Sequence, residues 1–169
     1  MRAVPRPALV GLMSALAVAL SYATSWVPNF NPMDLVVFCS GAVGGASSGV
    51  LVGVLSWSVY GVLNPYGFVP PILAATAVSE AVYGLAGAAL KGERRPLPLA
   101  AAGLVCTAVY DLATNLAYSL VFGVDPAIAI LAGAPFAAVH EGSNAILFSV
   151  AGPRLLSVLE KLGKADGPA

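Results

Sequence analysis

The sequence predicts an all-α protein, one bundle of six membrane-spanning helices. Three observations predict it. Apolar residues make up 59% of the 169-residue chain and charged residues 9%, against roughly 25% charged in soluble domains. The apolar residues fall in long runs separated by short Pro, Gly and Asn clusters, with no charge-rich stretch large enough for a soluble domain. All eight basic residues sit in three groups: Arg2 and Arg6; Lys91, Arg94 and Arg95; Arg154, Lys161 and Lys164.

A helix crossing the roughly 30 Å hydrocarbon layer needs about 20 residues. The predicted spans are 7–27, 34–45, 47–63, 69–90, 97–122 and 127–151, forming a single domain over 1–169. The first run follows Arg2 and Arg6 and has the look of a secretory signal. A cleaved signal releases a soluble protein, whereas everything downstream is equally apolar, so the run reads as a retained helix. The second run is short, and 34–63 also reads as one long helix, so the count is five or six. Lys and Arg near span ends stay on the cytoplasmic side. With six spans all three basic groups and both termini face the cytoplasm, and the connections VPNFNP, NPYGFVPP and GVDP, which carry no basic residue, face outward. Five spans would place at least one basic group outside. Gly44, Gly45, Ala46 and Ser47 supply the tight turn that six spans require, because glycine tolerates left-handed backbone. The tail LLSVLEKLGK continues the last helix along the membrane surface.

Costly polar residues interrupt the later spans. They are Glu80 on the fourth, Tyr110, Asp111 and Asn115 on the fifth, and His140, Glu141 and Asn144 on the sixth. A charged residue at a span centre costs about 2.5–3.5 kcal/mol on insertion scales. Asp111 and Asn115 lie one turn apart, as do His140 and Asn144, so each pair shares a face. At ~1.5 Å per residue, Glu80, Asp111 and His140 lie roughly 15–22 Å from their helix starts, at similar depth. Tyr110, Thr114 and Tyr118 add hydrogen-bonding groups, and the set predicts a cavity lined by helices four to six. The plainer reading is mutual satisfaction inside the bundle, at about 0.6 kcal/mol per interhelical pair. Ionisable groups within spans are otherwise functional candidates. Asn64, in the rigid turn NPYGFVPP, is placed to cap such a pocket; its plainer role is to stop a helix.

The stretch FAAVHEGSNAILF matches the first half of the zinc-protease pattern H-E-x-x-H. Asn144 stands where the second histidine ligand belongs, His140 is the chain's only histidine, and Cys39 and Cys106 lack ligand-like spacing. No metal site, catalytic residue or cofactor is predicted. Without a Gly-rich phosphate loop, ATP hydrolysis is not expected of this chain either. Small residues recur every fourth position at Ala15, Ala19 and Ala23 and at Gly49 and Gly53, and such faces let another helix approach closely.

Taken together, six short spans, the small-residue faces, the turn NPYGFVPP leading into SEAVYGLAGAAL, then VYDLATNLAYSLVFG and HEGSNAILFSVAGPRLL resemble the substrate-binding S components of energy-coupling factor (ECF) vitamin transporters. The resemblance covers most of the chain. It implies a plasma-membrane protein that captures a vitamin or related micronutrient from outside and delivers it with a transmembrane coupling subunit and two cytoplasmic ATPases, without nucleic acid. It makes Asn64, Glu80, Asp111, Asn115, His140, Glu141 and Asn144 pocket candidates, and Ala15, Ala19, Ala23, Gly49 and Gly53 candidates for docking the coupling subunit. The second span is shorter than the family pattern, and neither the histidine-led N-terminus of the metal-transporting members nor the arginine-bearing biotin pattern is present. An acid-rich pocket near Trp57, Tyr60 and Tyr66 suits a cationic or donor-rich ring, such as a thiamine-like pyrimidine. The rivals are an intramembrane hydrolase using His140, Glu141 and Asn144, and a solitary small-molecule carrier. His140 and Asn144 fit the H-x-x-x-N element of prenyl-protein protease-like membrane enzymes, but the paired glutamates of that family are missing. Carriers often show internal repeats, and none is evident here.

Overall fold

Seven helices account for nearly all of residues 6–63 and 67–165, which are the residues described by a computed structural model of the protein. They are α1 (Arg6–Thr24), α2 (Met33–Gly44), α3 (Ala46–Leu63), α4 (Pro70–Ala89), α5 (Pro96–Phe122), α6 (Pro126–Val150) and α7 (Gly152–Ala165). Among the described residues there is no strand. Prolines open α4, α5 and α6 in the first turn, where the missing N–H costs nothing. The Asp125 carboxylate caps α6 by accepting from the Ala127 and Ile128 amides.

Helices α1, α3, α4 and α5 are long and apolar enough to cross a membrane, which suggests a membrane protein. Helix α6 has 25 residues but is not among these candidates, because His140, Glu141, Ser143 and Asn144 interrupt its apolar run. Leu51, Val78, Leu120, Leu131 and Ile146 are among the large apolar side chains left exposed. An apolar exterior of this kind suits a lipid-facing surface.

Helix α2 is the centre of the molecule. Every residue from Met33 to Ala42 is buried, and α2 packs against α1, α3 and α4 while touching α6 and α7. At ~1.5 Å per residue its 12 residues span only about 18 Å. Gly45, with φ of 85°, breaks the helix from α3 in a single residue, the tight turn expected of six spans. Helices α2, α3 and α4 approach so closely that a Cβ on Gly84 would enter the Gly49 backbone, and one on Gly41 would enter the Gly84 carbonyl.

The α1–α2, α3–α4 and α5–α6 connections lie at one end of the bundle, and the basic residues Lys91, Arg94, Arg95 and Arg154 lie at the other. At that basic end Arg94 pairs with Glu160, tying the α4–α5 connection to α7. Predicted and observed helix ends agree within three residues. One difference is that α7 is a separate amphipathic helix starting at Gly152, with Leu156 fully buried and Val158 and Leu162 exposed.

Candidate functional site

The shortness of α2 positions the site. His140 is the fifteenth residue of α6, about 21 Å along that helix from its start, yet its ring meets Asp34, the second residue of α2. Helix α2 therefore begins deep in the bundle, and the chain from Ser25 to Pro32 fills the space above it. Asn29 takes a left-handed conformation there (φ 54°), which asparagine tolerates better than most residues. Asn31 accepts a hydrogen bond from the Ser21 hydroxyl at 2.8 Å, fastening the loop to α1.

Four helices converge on a buried polar cluster. The His140 imidazole bridges two carboxylates, with Nε2 2.8 Å from Asp34 Oδ2 and Nδ1 3.0 Å from Asp111 Oδ1. Asn144, one turn along α6, donates through Nδ2 to the same Asp34 oxygen at 2.6 Å and to the Thr107 hydroxyl at 2.8 Å. Thr107 donates to the Gly103 carbonyl and accepts from the Tyr83 hydroxyl at 2.8 Å. A fully buried Glu80 stands beside this cluster and accepts from the Trp57 indole N–H at 2.9 Å. One oxygen each of Asp34, Asp111, Glu80 and Asn144 is buried without a hydrogen-bond partner. Unsatisfied buried acceptors cost about 1–3 kcal/mol each, so such a group in a folded protein calls for an explanation.

Above the cluster opens a cavity of about 430 Å³ towards the end that bears the α1–α2 and α3–α4 connections. Asp111 and His140 lie at its floor, Trp57, Tyr60, Tyr110 and Phe136 form aromatic walls, and Asn29 and Phe30 come from the loop above α2. The rings brace one another: Tyr110 meets His140 edge-on at 5.5 Å, and Trp57 lies 6.0 Å from Tyr110 and 5.5 Å from Tyr60. Ligand sites of this size are mostly apolar with a few fixed polar groups.

Tyr110, Asp111, Asn115 and His140 line this cavity. Asn144 and Glu80 do not; they stand beneath it, Asn144 holding Asp34 and Glu80 holding Trp57. Glu141, next to His140 in sequence, is turned about 100° away by the helix and lies with Asn115 on a separate groove between α5 and α6. The His140, Glu141 and Asn144 trio is thus not assembled at one point. Asn64 lies outside the described residues. Among the described residues no three His, Cys, Asp or Glu side chains are grouped to hold a metal ion.

Comparison with models of known families, with curated proteins and with solved structures gives no match. The assignment of the site therefore rests on its geometry.

Asp34, Thr107 and Tyr83 complete the cluster and were not among the expected site residues, whereas Trp57 was expected beside the pocket. Asp34 looks in sequence like the first residue of a span, and only the depth at which α2 starts makes it a core group. One signal was available: an acid heading a run as apolar as LVVFCSGAVG needs a partner. Of the small-residue faces, Gly49 and Gly53 are buried against α4, at Gly84 and Glu80, and do not form an exposed face, while Ala15, Ala19 and Ala23 form an exposed stripe on α1.

Proposed function

We propose that this chain is the membrane-embedded capture subunit of an ECF-type importer for a vitamin or related micronutrient. In this reading α1 to α6 cross the membrane, both termini are cytoplasmic, and the cavity faces outward. Lys91, Arg94, Arg95 and Arg154 lie at the end opposite the cavity, as the retention of Lys and Arg on the cytoplasmic side requires. The observation that carries the reading is the 430 Å³ aromatic-walled cavity with Asp111 and His140 at its floor and Asp34 bonded behind His140. A bundle that used these groups only for its own cohesion would be expected to close over them and leave no hollow.

Transport energy would come from partners, a coupling subunit and two cytoplasmic ATPases. The exposed stripe Ala15, Ala19 and Ala23 offers a face on which a partner helix could pack closely. Thermal-shift screening of the purified protein against a vitamin panel, without metal or ATP, tests the capture role. One or more vitamins should stabilise the wild type and lose that effect in Asp111→Ala or His140→Ala. Equal stabilisation of wild type and both variants would place the ligand elsewhere. Copurification with a coupling subunit and ATPases separates this reading from a solitary carrier.

A further inference from the structure

The charge of the cavity narrows what it can hold. Asp34 and Asp111 flank one imidazole, which neutralises at most one of them even when protonated. Beyond that imidazole the cavity offers no compensating base. Among its described lining residues there is no lysine or arginine, and both nitrogens of its only histidine are already engaged by carboxylates. Residues 64–66 are Asn, Pro and Tyr, so the remainder of the α3–α4 connection adds no positive charge. Asp111 lines the cavity, is 8% exposed, and has its second oxygen, Oδ2, buried without a partner. In a site screened from bulk water, the attraction of such groups for a cation is several times stronger than on a surface. The walls favour the same charge, because the faces of Trp57, Tyr60 and Tyr110 are electron-rich and attract cations where a ring face is presented.

Resting on the capture reading, we propose that the cavity selects flat aromatic ligands that carry a positive charge, and rejects carboxylate-bearing ones. Asp111 supplies the main discriminating charge, and the aromatic walls supply affinity for the flat ring and add to the preference for a cation. A ligand cation would also compensate the acids at the cavity floor, whose unpartnered oxygens the protein leaves without donors.

Benzamidinium, benzamide and benzoate have nearly the same shape and carry charges of +1, 0 and −1. Their binding to the purified wild-type protein in neutral detergent, measured at pH 7 by ligand-observed NMR, isolates charge from shape and depends on no variant. Benzamidinium should bind at least tenfold tighter than benzamide, and benzoate should not bind detectably. Asp111→Asn, which keeps the side chain's size, should lower benzamidinium affinity at least tenfold and change benzamide less than threefold. Benzamide or benzoate binding as tightly as benzamidinium overturns the charge selection but leaves a capture site in place. If none of the three binds, and no vitamin of the screening panel stabilises the protein, the capture reading falls and this inference with it.

Discussion

Asp34→Ala is the most searching change to the buried cluster, because one carboxylate oxygen holds two side chains of α6. The substitution removes the 2.8 Å contact to His140 Nε2 and the 2.6 Å bond from Asn144 Nδ2. Bonds to charged partners contribute about 1.5–3 kcal/mol each in soluble proteins. Interhelical polar bonds in a membrane protein average about 0.6 and reach about 1.7 kcal/mol, since the unfolded chain in lipid finds other partners. His140 and Asn144 remain 5% and 1% exposed and would be left with unpaired groups, so each bond belongs at the upper end of the membrane scale. Two bonds then give a loss of about 3 kcal/mol. Asp34→Asn retains one acceptor oxygen and should lose about half as much. Reversible unfolding in mixed micelles, titrated with sodium dodecyl sulfate, measures both. A loss below about 0.5 kcal/mol for Asp34→Ala, the range of an ordinary surface substitution, would show that Asp34 does not hold α6 to α2.

Other expectations follow from the same structure. Gly84→Ala places a methyl group into the Gly49 backbone, where neither side can yield by changing rotamer; the cost should reach about 3 kcal/mol, the upper range of overpacking, and the same unfolding titration would contradict this close approach if the variant were as stable as wild type. Glu80→Gln keeps an acceptor for the Trp57 indole and should preserve ligand affinity, whereas Glu80→Ala releases the ring and should weaken binding about tenfold, or about 1.4 kcal/mol; equal losses would mean that Glu80 acts by charge and not by positioning Trp57. At the α4–α5 connection, hydrogen bonds from Arg95 hold Glu93 down from the ordinary 4.5 to about 2. A carboxyl lowered on folding stabilises above its unfolded value and loses that contribution as pH falls through the folded one. The stability difference between wild type and Glu93→Gln should therefore be constant above about pH 5 and shrink as pH falls from about 4.5 through 2; a difference undiminished at pH 2 contradicts the assignment. It should also shrink with added salt.

The helices were legible in the sequence because their signals are local. Apolar runs closed by Pro, Gly and Asn gave their ends, and Asp125 and Pro126 mark the start of α6 in a way that needs no tertiary contact. The cluster was partly legible. Asp111, His140 and Asn144 stand out as polar groups in apolar runs, and their one-turn spacing or shared depth brings them together. What sequence reasoning could not supply was the depth of α2: the Asp34–His140 contact spans 106 residues, and its geometry depends on where the loop from Ser25 to Pro32 sets the start of α2. Glu141 shows the converse, since adjacency to His140 in sequence means a different face of a helix. Gly49 and Gly53 have the spacing of a docking face, but a small-residue stripe does not say whether its partner is another helix of the same chain. In this protein the partner is α4.

Mass spectrometry of the protein after gentle purification from its native membrane tests the central claim most directly. The cavity should retain a flat small molecule with a basic or permanently cationic ring, released on denaturation at close to one per chain and absent from Asp111→Ala. A wild-type preparation that carries no such molecule, and takes none up from a vitamin panel, would contradict it.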